Sequence, residues 1–172
     1  MKPSDHPEFF RLPPPEGRSR ESTIVLDSEG RFFHDGAPVT HPGMARAFSS
    51  WIARHPDDGR FILNNGYDWS YFRVEDAPFQ VISLILPDDS RASGCLQVEL
   101  SDGTLEDLGP ESLEIGPNGA VYAAVKGGAF QARFSRAAQL ALAPLLAEDG
   151  DGALALDFAG QRVRLPISSR KA

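Results

Sequence analysis

Gly30-Arg31-Phe32-Phe33-His34-Asp35-Gly36-Ala37-Pro38-Val39-Thr40 reads as a hairpin running into a helix: an aromatic pair, an Asp-Gly turn, a short extended run and a hydroxyl placed to cap. The same order returns at residues 119–135, where Gly119-Ala120-Val121-Tyr122 passes through Gly127-Gly128 to Ser135. Past each cap come an amphipathic stretch, an Asp-Gly pair (Asp58-Gly59, then Asp151-Gly152) and two short strands, turned by Asn65-Gly66 and Ala159-Gly160. One plan stated twice, over residues 31–74 and 120–166, predicts an α+β fold: a duplicated motif of antiparallel strands with one helix per half. The expected organisation is an extended Pro-rich arm (1–22), an N-terminal half (23–92), a C-terminal half (93–167) and a short tail (168–172).

The periodicities fill in the elements. Met44, Phe48, Trp51 and Ile52 share one face of a 3.6-residue repeat, and Arg46, Ser49, Ser50 and Arg54 fall largely elsewhere. Ala137, Leu140, Ala141 and Leu145 give the second helix its stripe, widened by Leu142 and Leu146, and Pro144 should kink or end it. Residues 60–63 and 68–74 read as a hairpin whose second strand sets Trp69, Tyr71 and Arg73 against Ser70, Phe72 and Val74. Residues 79–86 are nearly continuous in apolar character, as in a central strand covered on both faces. Leu96, Val98 and Leu100 alternate with polar neighbours up to the Asp102-Gly103 turn, and Val163, Leu165 and Ile167 alternate with Arg162 and Arg164.

Composition limits the function classes. The chain has 172 residues, 41% hydrophobic, and 16 Gly with 14 Pro favour short elements and tight turns over long helices. A net charge of −7 is the wrong sign for a general phosphate-backbone binder, so nucleic acid is not an expected partner. Cys95 is the single cysteine, which removes intrachain disulfides and multi-cysteine metal sites and suits a cytoplasmic protein. The N-terminus lacks a basic-then-apolar signal pattern, and the run 81–86 is too short to span a bilayer, so no membrane association is expected. Pro3, Pro7 and Pro13-Pro14-Pro15 keep the first residues extended, with Phe9 and Phe10 available to pin that arm to the body.

Three stretches carry a family resemblance. Arg73-Val74-Glu75-Asp76-Ala77-Pro78-Phe79, Phe134-Ser135-Arg136-Ala137-Ala138 and residues 32–39 together resemble the bacterial domain-of-unknown-function 1285 family, over residues 23–166. The resemblance implies a duplicated α+β fold whose second half looks superficially like a pleckstrin-homology-type sheet. It further implies a ligand groove between the halves, no assigned activity and a suggested part in signal transduction. This chain departs from the family pattern at Asn64-Asn65-Gly66-Tyr67-Asp68 and near Val98-Glu99, so ligand groups at those positions are not carried over.

The matched residues supply the candidate site. Arg73, Glu75 and Asp76 stand where a strand meets the corner forced by Ala77-Pro78, which displays their charges. The functional reading makes Arg73 an anion clamp and Glu75 or Asp76 a polar contact, with Arg136 adding a cation in the first turn of the second helix. The structural reading pairs the same groups as ion pairs that fix one half against the other. His34, Asp35 and His41 lack the further ligands of a metal site and read as turn residues. There is no Gly-x-Ser-x-Gly elbow, and the glycine pairs lack the Lys-Ser/Thr ending of a phosphate loop. No cofactor is expected. The leading expectation is a binding or regulatory module that holds a small anionic molecule or an acidic peptide. The alternatives are a hydrolase with Glu75 or Asp76 as general base and a homo-oligomer paired through a free sheet edge.

Overall fold

Gly-punctuated runs of β-branched and aromatic residues become strands, 15 of them beside two α-helices among the described residues. The computed structural model describes residues 1–86 and 95–169, and the chain divides into two compact units, Met1–Pro78 and Phe79–Ala172. The boundary expected at 92/93 lies outside the described residues, and residues 79–86 group with the second unit.

In the first unit β1 (Glu21–Leu26), β2 (Phe32–His34) and β3 (Ala37–Pro38) form one antiparallel meander, and β4 (Ile52–Arg54), β5 (Phe61–Asn64) and β6 (Trp69–Val74) form another. They join into one sheet, β3-β2-β1-β6-β5-β4, through a parallel pair at its centre, with Glu21 opposite Tyr71 and Leu26 opposite Val74. The β2–β3 turn has Asp35 at φ 50° and Gly36 at φ 76°, the mirror-image turn whose twist matches a hairpin. Thr23 secures the strained Asp35, its hydroxyl donating to the carboxylate and accepting from the Asp35 N–H.

Between the meanders runs α1 (Pro42–Trp51), which packs on β5. Its cap is His41, whose Nδ1 accepts from Met44 N at 3.3 Å, one residue past the expected Thr40; Pro42 at the first helical position fits that start. The buried face also differs from the expected stripe. Met44 is exposed, Ser49 is buried, and Ile52 already belongs to β4. A small side chain at Ser49 lets the helix lie close to the sheet, where Phe48 meets Phe32 edge to face at 5.4 Å.

The second unit repeats the strand order. Its strands β7 (Phe79–Ile85), β8 (Leu96–Leu100), β9 (Leu105–Leu108), β10 (Leu113–Ile115), β11 (Val121–Val125) and β12 (Phe130–Phe134) are arranged β10-β11-β12-β7-β8-β9. Counted from the first strand of each unit, the two sheets have the same permutation, and again first and last strands make the central parallel pair, Phe79 opposite Ala132. A duplicated α+β motif is therefore present, though its copies are β1–β6 and β7–β12 rather than residues 31–74 and 120–166, and the sheets are mixed rather than purely antiparallel. Only residues 79–81 of the central β7 are buried in succession; Ile82 and Ile85 are exposed.

The helix is what moves between the copies. A single 3-10 turn, Pro110–Ser112, stands between the second unit's two meanders, while α2 (Arg136–Leu142) follows the sixth strand and packs on β7. Ser135 caps α2 as expected, its Oγ accepting from Ala138 N at 3.2 Å. The helix ends before Pro144, which lies in a 3-10 turn. Its buried side chains are Ala138 and Leu142, one turn apart, whereas Leu140 is 67% exposed and Ala137 and Ala141 are exposed too. Seven residues leave room for one buried ridge, so the wider stripe does not form. Past it, β13 (Leu146–Glu148), β14 (Leu154–Phe158) and β15 (Gln161–Arg164) make a separate three-stranded sheet, with Ala159 and Gly160 both at positive φ in the last turn.

Candidate functional site

On the face of the first unit's sheet opposite α1, strand alternation gathers Ile62 from β5 and Trp69, Tyr71 and Arg73 from β6. The chain's N-terminal segment lies on that face. Two 3-10 turns, Pro3–Asp5 and Pro7–Arg11, present Phe9, only 6% exposed, to Ile62 and Trp69, and set Phe10 edge-on to Phe9. The arm expected to be extended is thus folded and docked, with Phe9 and Phe10 as its anchors.

Polar contacts fix the arm in register. His55, buried at the end of β4, lies 4.8 Å from the Trp69 ring and 5.9 Å from Phe10, centroid to centroid. Its Nδ1 accepts from Asp57 N at 3.3 Å, which assigns the ring proton to Nε2, and Nε2 donates to the Phe10 carbonyl at 3.3 Å. Arg11 grips Asp57 with Nε and Nη2, both at 3.2 Å, and that guanidinium holds the Asp57 carboxyl below its usual range.

Beside Tyr71, the tight turn after His55 builds a charged cluster. Asp58 accepts from Arg60 N at 2.9 Å and from the Tyr71 hydroxyl at 2.8 Å; the Arg60 N–H first, then the Tyr71 hydroxyl, hold its carboxyl low. Burial, reinforced by the Asp58 carboxylate, pushes the Tyr71 phenol up. Arg60 covers the Tyr71 ring at 3.8 Å and grips Glu21 with two nitrogens at 2.7 and 2.9 Å. The cluster holds its carboxylates ionised and its phenol protonated, which makes a recognition surface and a poor proton shuttle.

Arg20 closes the other side. Its guanidinium stacks on Trp69 at 4.4 Å, and Nη1 donates to Asp68 at 2.6 Å and to the Trp69 carbonyl at 2.7 Å. Nη2 reaches the arm's Leu12 and Pro13 carbonyls at 3.4 and 3.2 Å. Arg20 Nε and Trp69 Nε1 are buried with no hydrogen-bond acceptor. A buried N–H left unmatched costs about 1–3 kcal/mol, so an added acceptor at this corner would be stabilising.

The residues singled out in the sequence lie elsewhere. Arg73 continues the aromatic face beyond the arm, 69% exposed, and pairs with Glu75 at 3.2 Å. Asp76 is half-buried just past the strand, beside the buried Ala77 and Pro78. Arg136 belongs to the second unit, exposed at the start of the seven-residue α2. The structure brings together Arg73 and Glu75 as an ion pair. His55, Asp58, Arg60, Glu21 and Arg20 were missed; the signal available was Trp69 and Tyr71 alternating onto one face, with the register needed to show what stands opposite them. His41 caps α1, and among the described residues no three His, Cys, Asp or Glu side chains converge as metal ligands. The second unit has an apolar cavity of about 480 Å3 lined by Ile115, Leu154, Leu165 and Ile167, with Arg164 at its edge held to Asp151 at 2.7 Å.

Two solved structures share this fold. A DUF1285 family protein from Silicibacter pomeroyi DSS-3 matches with a TM-score of 0.65 and 22% identity, over 91% of this chain and 92% of that one. A second DUF1285 family protein, from Shewanella baltica OS155, matches with a TM-score of 0.53 and 20% identity, over 69% of this chain and 87% of that one. The family pattern described as strictosidine synthase-like, N-terminal, matches residues 97–129, a run of strands from β8 to the β11–β12 turn. Comparison with curated proteins finds no match. No helix among the described residues is long and apolar enough to cross a membrane.

Proposed function

We propose that the chain is a binding or regulatory module whose first unit takes a protein segment on its aromatic sheet face. One observation supports this reading above the others: the chain's own N-terminal arm lies there as a bound peptide would, with a buried aromatic anchor, a carbonyl received by His55 and a cation received by Asp57. A surface that holds one segment through so few anchors suits exchange with another, which is the logic of a regulatory module. The small-anion version of the proposal keeps Arg73, Glu75 and Asp76 at the open end of the same face, and Arg136 as a separate cation on the second unit. No specific observation favours the hydrolase reading, since Glu75 is ion-paired and open to solvent.

The test uses the full chain carrying Phe9→Ala, which loosens the arm, titrated with a labelled synthetic peptide of residues 1–13. Saturable binding is expected, at least about tenfold tighter than to the parent chain, whose own arm competes. A folded Phe9→Ala chain that takes no peptide contradicts the reading. Light scattering over a dilution series separates exchange of arms between two copies from capture of another protein.

A further inference from the structure

We infer that the natural occupant of the aromatic face is the C-terminal end of a partner polypeptide, two adjacent aromatics followed by a terminal carboxylate seated on Arg20. The inference rests on the proposed segment-binding reading and names the chemistry of the segment.

It follows from the way Arg20 is used. A guanidinium offers a fork of Nε and Nη2 that matches the two oxygens of a carboxylate. Arg11 and Arg162 use that fork on Asp57 and Asp157 in this same chain. In Arg20, Nη1 is committed to Asp68 and the Trp69 carbonyl, which holds the group in place. Its Nε has no acceptor, and its Nη2 has only two neutral carbonyls at 3.2 Å and beyond. The fork therefore points at the backbone of Leu12 and Pro13 but is half used.

A chain terminus at Leu12 in place of its carbonyl would bring a carboxylate, whose two oxygens match the fork of Nε and Nη2, with no side chain asked to reach. Trp69 Nε1, on a ring 94% buried beneath the same guanidinium, is a further donor without an acceptor. The arm supplies the aromatic pair Phe9-Phe10 and lacks the charge, as expected of an occupant that must leave.

The experiment titrates the full-length Phe9→Ala chain with two peptides of the sequence of residues 3–12, one ending in a free carboxylate and one in a carboxamide. The acid is expected to bind about tenfold or more tighter at low salt, with the advantage shrinking as salt rises. Arg20→Lys, which keeps the charge and loses the fork, is expected to cut the ratio to about threefold or less. If that variant fails to fold, the acid-to-amide ratio on the unsubstituted Arg20 decides alone. Equal binding of acid and amide overturns the inference and leaves the segment-binding reading standing. A carboxamide peptide with one glutamate added after Leu12 that matches the acid overturns the terminal assignment. Binding of neither peptide overturns the segment-binding reading as well.

Discussion

At the scale of single residues, charge in this protein is spent on local pairing, and the pairs differ in worth by burial. Arg73 and Glu75 face solvent, so Arg73→Ala is expected to change the unfolding free energy by less than about 0.5 kcal/mol in a urea titration. Lys126 is different. Its ammonium bonds Asp102 at 2.8 Å and Thr104 at 2.5 Å, tying the β11–β12 turn to the β8–β9 turn. Burial pushes the Asp102 carboxyl up, and the hydrogen bonds from Lys126 and Thr104 outweigh it, leaving the group below its usual range. Lys126→Ala is expected to cost about 1–3 kcal/mol, because it leaves a partly buried carboxylate uncompensated. A carboxyl whose folded value is depressed contributes stability that is full above its unfolded value and lost as pH falls through the folded one. The parent should therefore lose stability relative to Lys126→Ala below about pH 4, as measured by urea midpoints from pH 6 to pH 3. The Arg73–Glu75 contact was legible in the sequence as one of the ion pairs the neighbouring carboxylates offer. His55 was not, because His55-Pro56-Asp57-Asp58 looks like any polar turn until β4 and β5 pair and bring it under Phe10.

Element by element, caps and turns were readable and faces were less so. Ser135 was expected as a cap and is one, since a hydroxyl before an apolar run has one good use. Ser135→Ala is expected to cost about 1 kcal/mol, read from the denaturation midpoint. The two-residue turns at Asp35-Gly36 and Ala159-Gly160 were equally plain, because few pairs accept positive φ at both positions. Helix stripes misled at Met44 and Leu140. Short helices bury one narrow ridge, and which ridge depends on the sheet beneath, here favouring Ser49 in α1 and Leu142 in α2. The arm's first residues read as loose because proline is frequent there, yet Phe9 with Phe10, the Arg11–Asp57 ion pair and the hydrogen bonds from His55 and Arg20 to arm carbonyls dock it. Acid should loosen that docking. With the Asp57 carboxyl held low by Arg11, the contact is complete above about pH 4 and is lost below it, seen as faster proteolysis within residues 1–13.

For the whole molecule, strand order is the strongest statement of duplication: two sheets, one permutation, each closed at the centre by a parallel pair. The sequence pattern set other bounds for the repeat: it matched Asp58-Gly59 with Asp151-Gly152 and Asn65-Gly66 with Ala159-Gly160, the second of each pair a turn of the separate β13–β15 sheet, because Gly and Asp-Gly punctuation marks a turn without saying which sheet it serves. It did not show the parallel pairs, since alternation marks a strand without naming its partner's direction. Nor did it show that the helix sits between meanders in one unit and after them in the other. What the fold leaves available for function is a sheet face covered by nine or so N-terminal residues instead of a helix. Amide hydrogen exchange of the full chain tests that cover most directly. If the arm is an exchangeable occupant, the Phe9 and Leu12 amides, bonded to the His6 and Phe9 carbonyls, should open far more readily than amides of β5 and β6, and Phe9→Ala should speed the arm alone. Arm amides that exchange only with global unfolding, at the rate of the β6 ladder, would contradict the claim that the aromatic face is a binding surface.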